Sequence, residues 1–146
     1  MRTRYEDWQQ CLNKSVEAAR ERPFSWGEHD CCCFAATVVE AMTGEDPMAD
    51  LRGTYADEQG AKLALKERAN GTLYRTLQKR FGQPITPAWA RRGDLVYANG
   101  AQGPSVGVCL GEQSAFVGIH QTQDGDVVGE GIVLTPTLQC LKAFRV

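Results

Sequence analysis

The sequence predicts an α+β domain, with helices first and an antiparallel sheet after them. Three observations carry this. Apolar residues recur at helical spacing through the first half of the 146 residues. Short apolar runs separated by glycine-rich turns fill the second half. The helical and strand patterns do not alternate, as they would in a doubly wound fold. The length suits one domain over 1–146 with a core of its own, and 42% hydrophobic content is that of a globular chain.

Tyr5, Trp8, Leu12, Val16 and Ala19 predict a first helix over about Thr3 to Ala19. The stretch from Glu21 to Gly27 breaks it. Asp30 is a good N-cap, so a second helix is expected from there to about Thr43. Its buried stripe is Phe34, Ala35, Val38 and Met42, and Gly44 stops it. Asp46 to Thr54 is expected to be irregular, with Pro47 and Gly53. A third helix is expected over Ala56 to Ala69 and a fourth over Leu73 to Phe81, with Gly71 and Gly82 just past their ends. Gln83 to Pro87 reads as loop. Strands are expected at 94–97, 105–110, 115–119, 131–134 and 142–146.

Composition excludes several function classes. Sixteen basic and eighteen acidic residues give a net charge of -2, and the basic residues are scattered among acids, so no nucleic-acid footprint is expected. No apolar run approaches the ~20 residues of a membrane span. Met1 to Trp8 has no apolar core of the signal-peptide kind, so a soluble domain of intracellular type is expected. Without a secretory signal, the six cysteines (11, 31, 32, 33, 109 and 140) are not read as a disulfide framework. No Cys-x-x-Cys pair supports zinc, and no cofactor is expected. An iron–sulfur or metal site joining the cysteine run to Cys109 or Cys140 is the alternative.

One segment, Trp26 to Phe34, carries specific chemistry. Cys31 would sit in the first turn of a helix, among unpaired backbone N–H groups, where the thiolate is favoured and an oxyanion can be held. Trp26 and Gly27 would supply a wall and a close backbone approach. Asp94 follows Gly93 before an apolar run, where a turn role is the simpler account.

The pattern Trp26-Gly27, Asp30-Cys31 at a helix start resembles the nucleophile motif of NlpC-type, papain-like cell-wall peptidases. Gly93-Asp94-Leu95-Val96 resembles that family's Gly-Asp-apolar strand, and Ser105-Val106-Gly107-Val108 its His-Val-Gly-Ile strand. With the closing Ala143 to Val146, the pattern is most similar to a phage-tail branch of NlpC-like proteins. The resemblance implies a papain-like fold, with N-terminal helices on an antiparallel sheet of five to six strands. It implies other tail-tip or baseplate hub proteins as partners, contact with peptidoglycan, and a place in the virion after synthesis in the bacterial host cytoplasm. It makes Cys31 the nucleophile position, with Trp26, Gly27 and Asp30 around the binding site.

The departures from the family matter equally. The position of the catalytic histidine holds Ser105, whose hydroxyl is no general base near neutral pH. Where the next strand supplies an orienting polar residue, this chain has Phe116, Val117 and Gly118. His29, two residues before Cys31, and His120 are the candidate substitute bases. The resulting expectation is a structural tail component with a degenerate site. The alternative is an active cysteine hydrolase of peptidoglycan stem peptides.

Overall fold

The computed structural model describes residues 2–100, 103–121 and 127–146, with 119–121 and 127–130 described by their backbone alone. Four helices precede five strands. They are α1 (Trp8–Arg20), α2 (Cys31–Thr43), α3 (Glu58–Arg68), α4 (Leu73–Phe81), β1 (Leu95–Gly100), β2 (Gly103–Cys109), β3 (Gln113–Gln121), β4 (Val127–Pro136) and β5 (Lys142–Phe144). The sheet is antiparallel in the order β4-β3-β2-β1-β5. The first four strands form the expected meander. β5 crosses to the far edge and pairs with β1 through Leu95↔Phe144 and Val96↔Ala143. The α+β reading therefore holds, with five strands.

Two helices match their signals residue for residue. Asp30 caps α2, accepting from the Cys33 N–H at 2.8 Å, and Gly44 ends it at φ 83°. Thr72 caps α4 through the Arg75 N–H, and Gly82 ends it. The other two are shorter than their periodicity suggests. α1 starts at Trp8 rather than near Thr3, because residues 2–5 make tertiary contacts instead: the Tyr5 N–H donates to the Met42 carbonyl at 2.8 Å and Arg4 reaches Asp94. α3 starts at Glu58 because Asp57 turns its carboxylate onto the Gly60 N–H at 2.6 Å.

Alternation along the strands builds two apolar layers. Leu95, Val106, Val108, Ala115, Val117 and Phe144 face the helices and join Leu12, Phe34, Val38, Met42 and Leu77 in the main core. Val96, Cys109, Phe116 and Ala143 face the other way, with Cys140, Ile85 and Ala90 over them. Gly107 lies under the Phe116 ring, where a Cβ would come within 2.7 Å of a ring carbon and 2.6 Å of the Ala115 carbonyl oxygen. Its place in the Ser-Val-Gly-Val run is a packing requirement. The segment after α4 also joins the sheet: Ile85 exchanges two hydrogen bonds with Ala143, then Pro87–Trp89 forms a short 3-10 turn.

Candidate functional site

Asp30 organises the loop that delivers Cys31. One carboxylate oxygen accepts the Cys33 N–H. The other accepts the Gly27 N–H at 2.9 Å and the Tyr55 hydroxyl at 2.5 Å. All three donors converge on a carboxylate that is 2% exposed. Gly27 makes this turn possible. It sits at φ 81°, and a Cβ there would come 2.2 Å from the Tyr55 carbonyl oxygen. The Gly53 N–H donates to the Gly27 carbonyl at 2.8 Å, so the segment after α2 is stitched to the loop before it.

This arrangement puts Cys31 at the first position of α2, half-buried at the wall of a cleft of about 360 Å³. Trp26, Asp30, Tyr55, Ser105 and Val117 line the same cleft. The Cys31 thiol is held below its ordinary value. The largest cause is a hydrogen bond from the Cys32 thiol, burial opposes it, and the Val106 N–H adds to it. Cys32 moves up well above its ordinary value as the donor in that pair. Cys33 is buried and pushed up to about 12, first by burial and then by the Asp30 charge. Of the three adjacent thiols only Cys31 is shifted down, toward the thiolate, and the causes lie in Cys32 and β2 as well as at the helix terminus.

The sequence-derived site residues separate into two groups. Cys31, Ser105, Trp26 and Asp30 come together at the cleft, with Gly27 shaping its loop. Ser105 donates to the Gly103 carbonyl at 3.3 Å, one residue from the Val106 N–H that serves Cys31. His29 goes elsewhere. It lines a dimple with Ser15, Ala19, Arg22, Phe34 and Thr37, between α1 and α2, and is not among the residues around Cys31. Its ring meets Phe34 edge-on, with centroids 6.2 Å apart. The backbone of His120 pairs with Gly129 in the β3–β4 ladder, and its side chain lies outside the described residues. No histidine is among the described residues lining the cleft.

Burial of His29 has a measurable consequence. The residue is 3% exposed and its Nε2 has no hydrogen-bond partner. Burial, and then the Arg22 charge, lower its pKa. Unfolding restores the ordinary value near 6.5, so below that pH the unfolded chain binds more protons and stability falls. About 1 kcal/mol of stability is expected to be lost between pH 7 and pH 5.5, in urea titrations. His29→Phe should flatten that slope, and an unchanged slope in the variant would exclude His29 as its source.

Tyr55 and the exposed face of α3 complete the cleft, and neither carried a local motif. Tyr55 is one aromatic in an irregular segment, and its link to Asp30 spans 25 residues. The two cysteines of the sheet half do not join the run at α2. Cys109 and Cys140 pack in the outer apolar layer, on the other face of the sheet. Among the described residues no group of three or more His, Cys, Asp or Glu side chains is placed to hold a metal ion. No helix among them is long and apolar enough to cross a membrane.

Among solved structures, the chain is similar to RipD from Mycobacterium tuberculosis, described as a non-catalytic NlpC/p60 domain protein with an adaptation to peptidoglycan-binding function. The two are 20% identical with a TM-score of 0.46, over 97% of this chain and 99% of that one. No curated protein sequence matches the chain. A family model does match, from residue 3 to residue 146, and by that match the chain belongs to DUF6950, a domain of unknown function.

Proposed function

We propose that this chain is an NlpC-like domain with a degenerate cysteine site, serving as a structural component of a phage tail tip or baseplate. One observation carries the degenerate reading: Cys31 and Ser105 line one cleft, and no described residue lining it is an imidazole. Amide cleavage needs a group that takes the thiol proton and returns a proton to the departing amine. Asp30 is unsuited, because both of its oxygens are occupied by Gly27, Cys33 and Tyr55. Ser105 holds the histidine position of the family resemblance, and Val117 is a buried apolar residue in the strand that would orient such a histidine. The order of the resembling segments supports the tail assignment, with other hub proteins as partners and peptidoglycan as a surface the particle meets.

One observation favours the active reading: Cys31 stands partly buried at the wall of the cleft, with its thiol shifted down. That reading uses His120 as base. The readings separate on purified peptidoglycan. Wild type is expected to release no stem-peptide fragments, while iodoacetamide modifies Cys31 ahead of Cys32 and Cys33. Fragment release that Cys31→Ala abolishes would overturn the degenerate assignment. The tail assignment is tested by mass spectrometry of purified particles of the encoding phage, and absence of the protein from them would sink it.

A further inference from the structure

The cleft beside Cys31 has a polarity that constrains its occupant. Its walls include Phe24, Trp26, Ala61, Leu65, Leu73 and Val117. Most of the polar side chains among its described lining residues are already committed. Asp30 and Tyr55 bond to each other, and Asp30 also takes two backbone N–H groups. Glu58 and Lys62 pair at 3.6 Å one turn apart on α3. Thr72 accepts from the Arg75 N–H, and Ser105 donates to the Gly103 carbonyl. Two lining groups make no hydrogen bond or ion pair among the described residues: the Lys66 ammonium and the Trp26 indole N–H. Both are donors.

From this geometry we infer that the cleft binds a small apolar carboxylate, an unbranched or aryl chain with one anionic end, its carboxylate on Lys66 and its body along the apolar walls. The cleft's size supports this. At about 30 Å³ per water-sized group, 360 Å³ takes about 12 such groups, the size of a ten-carbon carboxylate. Charge sets the orientation. The Asp30 carboxylate belongs to the wall that carries Cys31, so an anion is favoured at the α3 side. A peptide fits less well. Its carbonyls could meet the two free donors, but each amide N–H would shed its water without an uncommitted side-chain acceptor among the described lining residues. The inference rests on the non-hydrolytic reading of the same cleft, because such a ligand has no amide or ester to cleave.

Calorimetric titration with decanoate, below micelle formation, tests it. Saturable one-to-one binding is expected, and decanol should bind about fivefold more weakly, the scale of one exposed ion pair. Lys66→Met should weaken decanoate about fivefold and leave decanol unchanged. Lys66 is exposed, so this variant is expected to fold. Ala61→Trp, which fills the cleft from α3, should abolish binding of both. The inference is overturned if decanol matches decanoate on wild type, if Lys66→Met changes nothing, or if Ala61→Trp still binds. It is also overturned if an acetylated apolar dipeptide or a soluble stem-peptide fragment binds more tightly than decanoate. None of these outcomes depends on peptidoglycan release, so a failure here is distinguishable from a failure of the degenerate-site reading.

Discussion

Asp30→Ala is expected to destabilise the protein by about 4 kcal/mol and to lower Tm by roughly 12 °C. Three donors lose their acceptor together: the Cys33 N–H in the first turn of α2, the Gly27 N–H and the Tyr55 hydroxyl. A lost helix cap alone costs about 1 kcal/mol. The larger figure reflects the buried carboxylate, because hydrogen bonds to a charged group contribute about 1.5–3 kcal/mol each and do not simply add. Burial raises the Tyr55 pKa strongly, so its hydroxyl stays neutral and keeps needing an acceptor. Asp30→Asn is expected to lose about half as much, because its amide oxygen still caps α2 while its NH₂ cannot accept from Gly27. Urea denaturation decides this. A loss under about 1 kcal/mol for the alanine variant would show that the cap is the only contribution of Asp30.

The second large effect lies away from the cleft, at Asp94. This carboxylate is 3% exposed. One oxygen accepts from the Arg4 guanidinium at 3.0 Å and the Val146 N–H at 3.1 Å, and the other from the Arg91 N–H at 2.9 Å. It ties together the N-terminal segment, the turn before β1 and the last residue of the chain. Arg4 also donates to the carbonyls of Arg92 and Val146, and its guanidinium lies 4.3 Å over the Trp8 ring. Asp94→Ala leaves that guanidinium largely buried without its counter-charge, at an expected cost of about 3 kcal/mol. Arg4→Met paired with Asp94→Ala should recover part of the loss, because the stranded charge is gone. Strict additivity of the two single variants would show that the pair is not energetically coupled.

Much of the local structure was legible because its causes are local. The cap at Asp30 and the stops at Gly44 and Gly82 act within a few residues. The strand segments alternate apolar residues into two layers, which places them within a few residues in sequence. The first helix was over-extended for the opposite reason. Tyr5 continues the helical apolar spacing, yet its N–H bonds to Met42 and its ring lies against Gly44. A tertiary partner outweighed local propensity there. Asp94 was read as a turn residue. It does hold the turn through the Arg91 N–H, but its ion pair with Arg4 crosses 90 residues and leaves no local signature.

The site divides in the same way. Sequence by itself determined that a cysteine starts a helix behind an aspartate cap, and that serine occupies the strand position where a histidine would complete a catalytic pair. The first follows from residue identity and short-range spacing, and the second is what the family resemblance implies. Tertiary structure decided where the side chains go. His29 is two residues from Cys31 in sequence, yet it faces α1, because it closes the tight Ser25–His29 turn and successive residues point to different sides. Tyr55, Val106 and Lys66 come from three separate segments of the chain, and only the tertiary fold brings them around one sulfur and one cleft. Local chemistry can be read from neighbours in the chain, whereas the cleft that Cys31 faces is walled by groups distant along it.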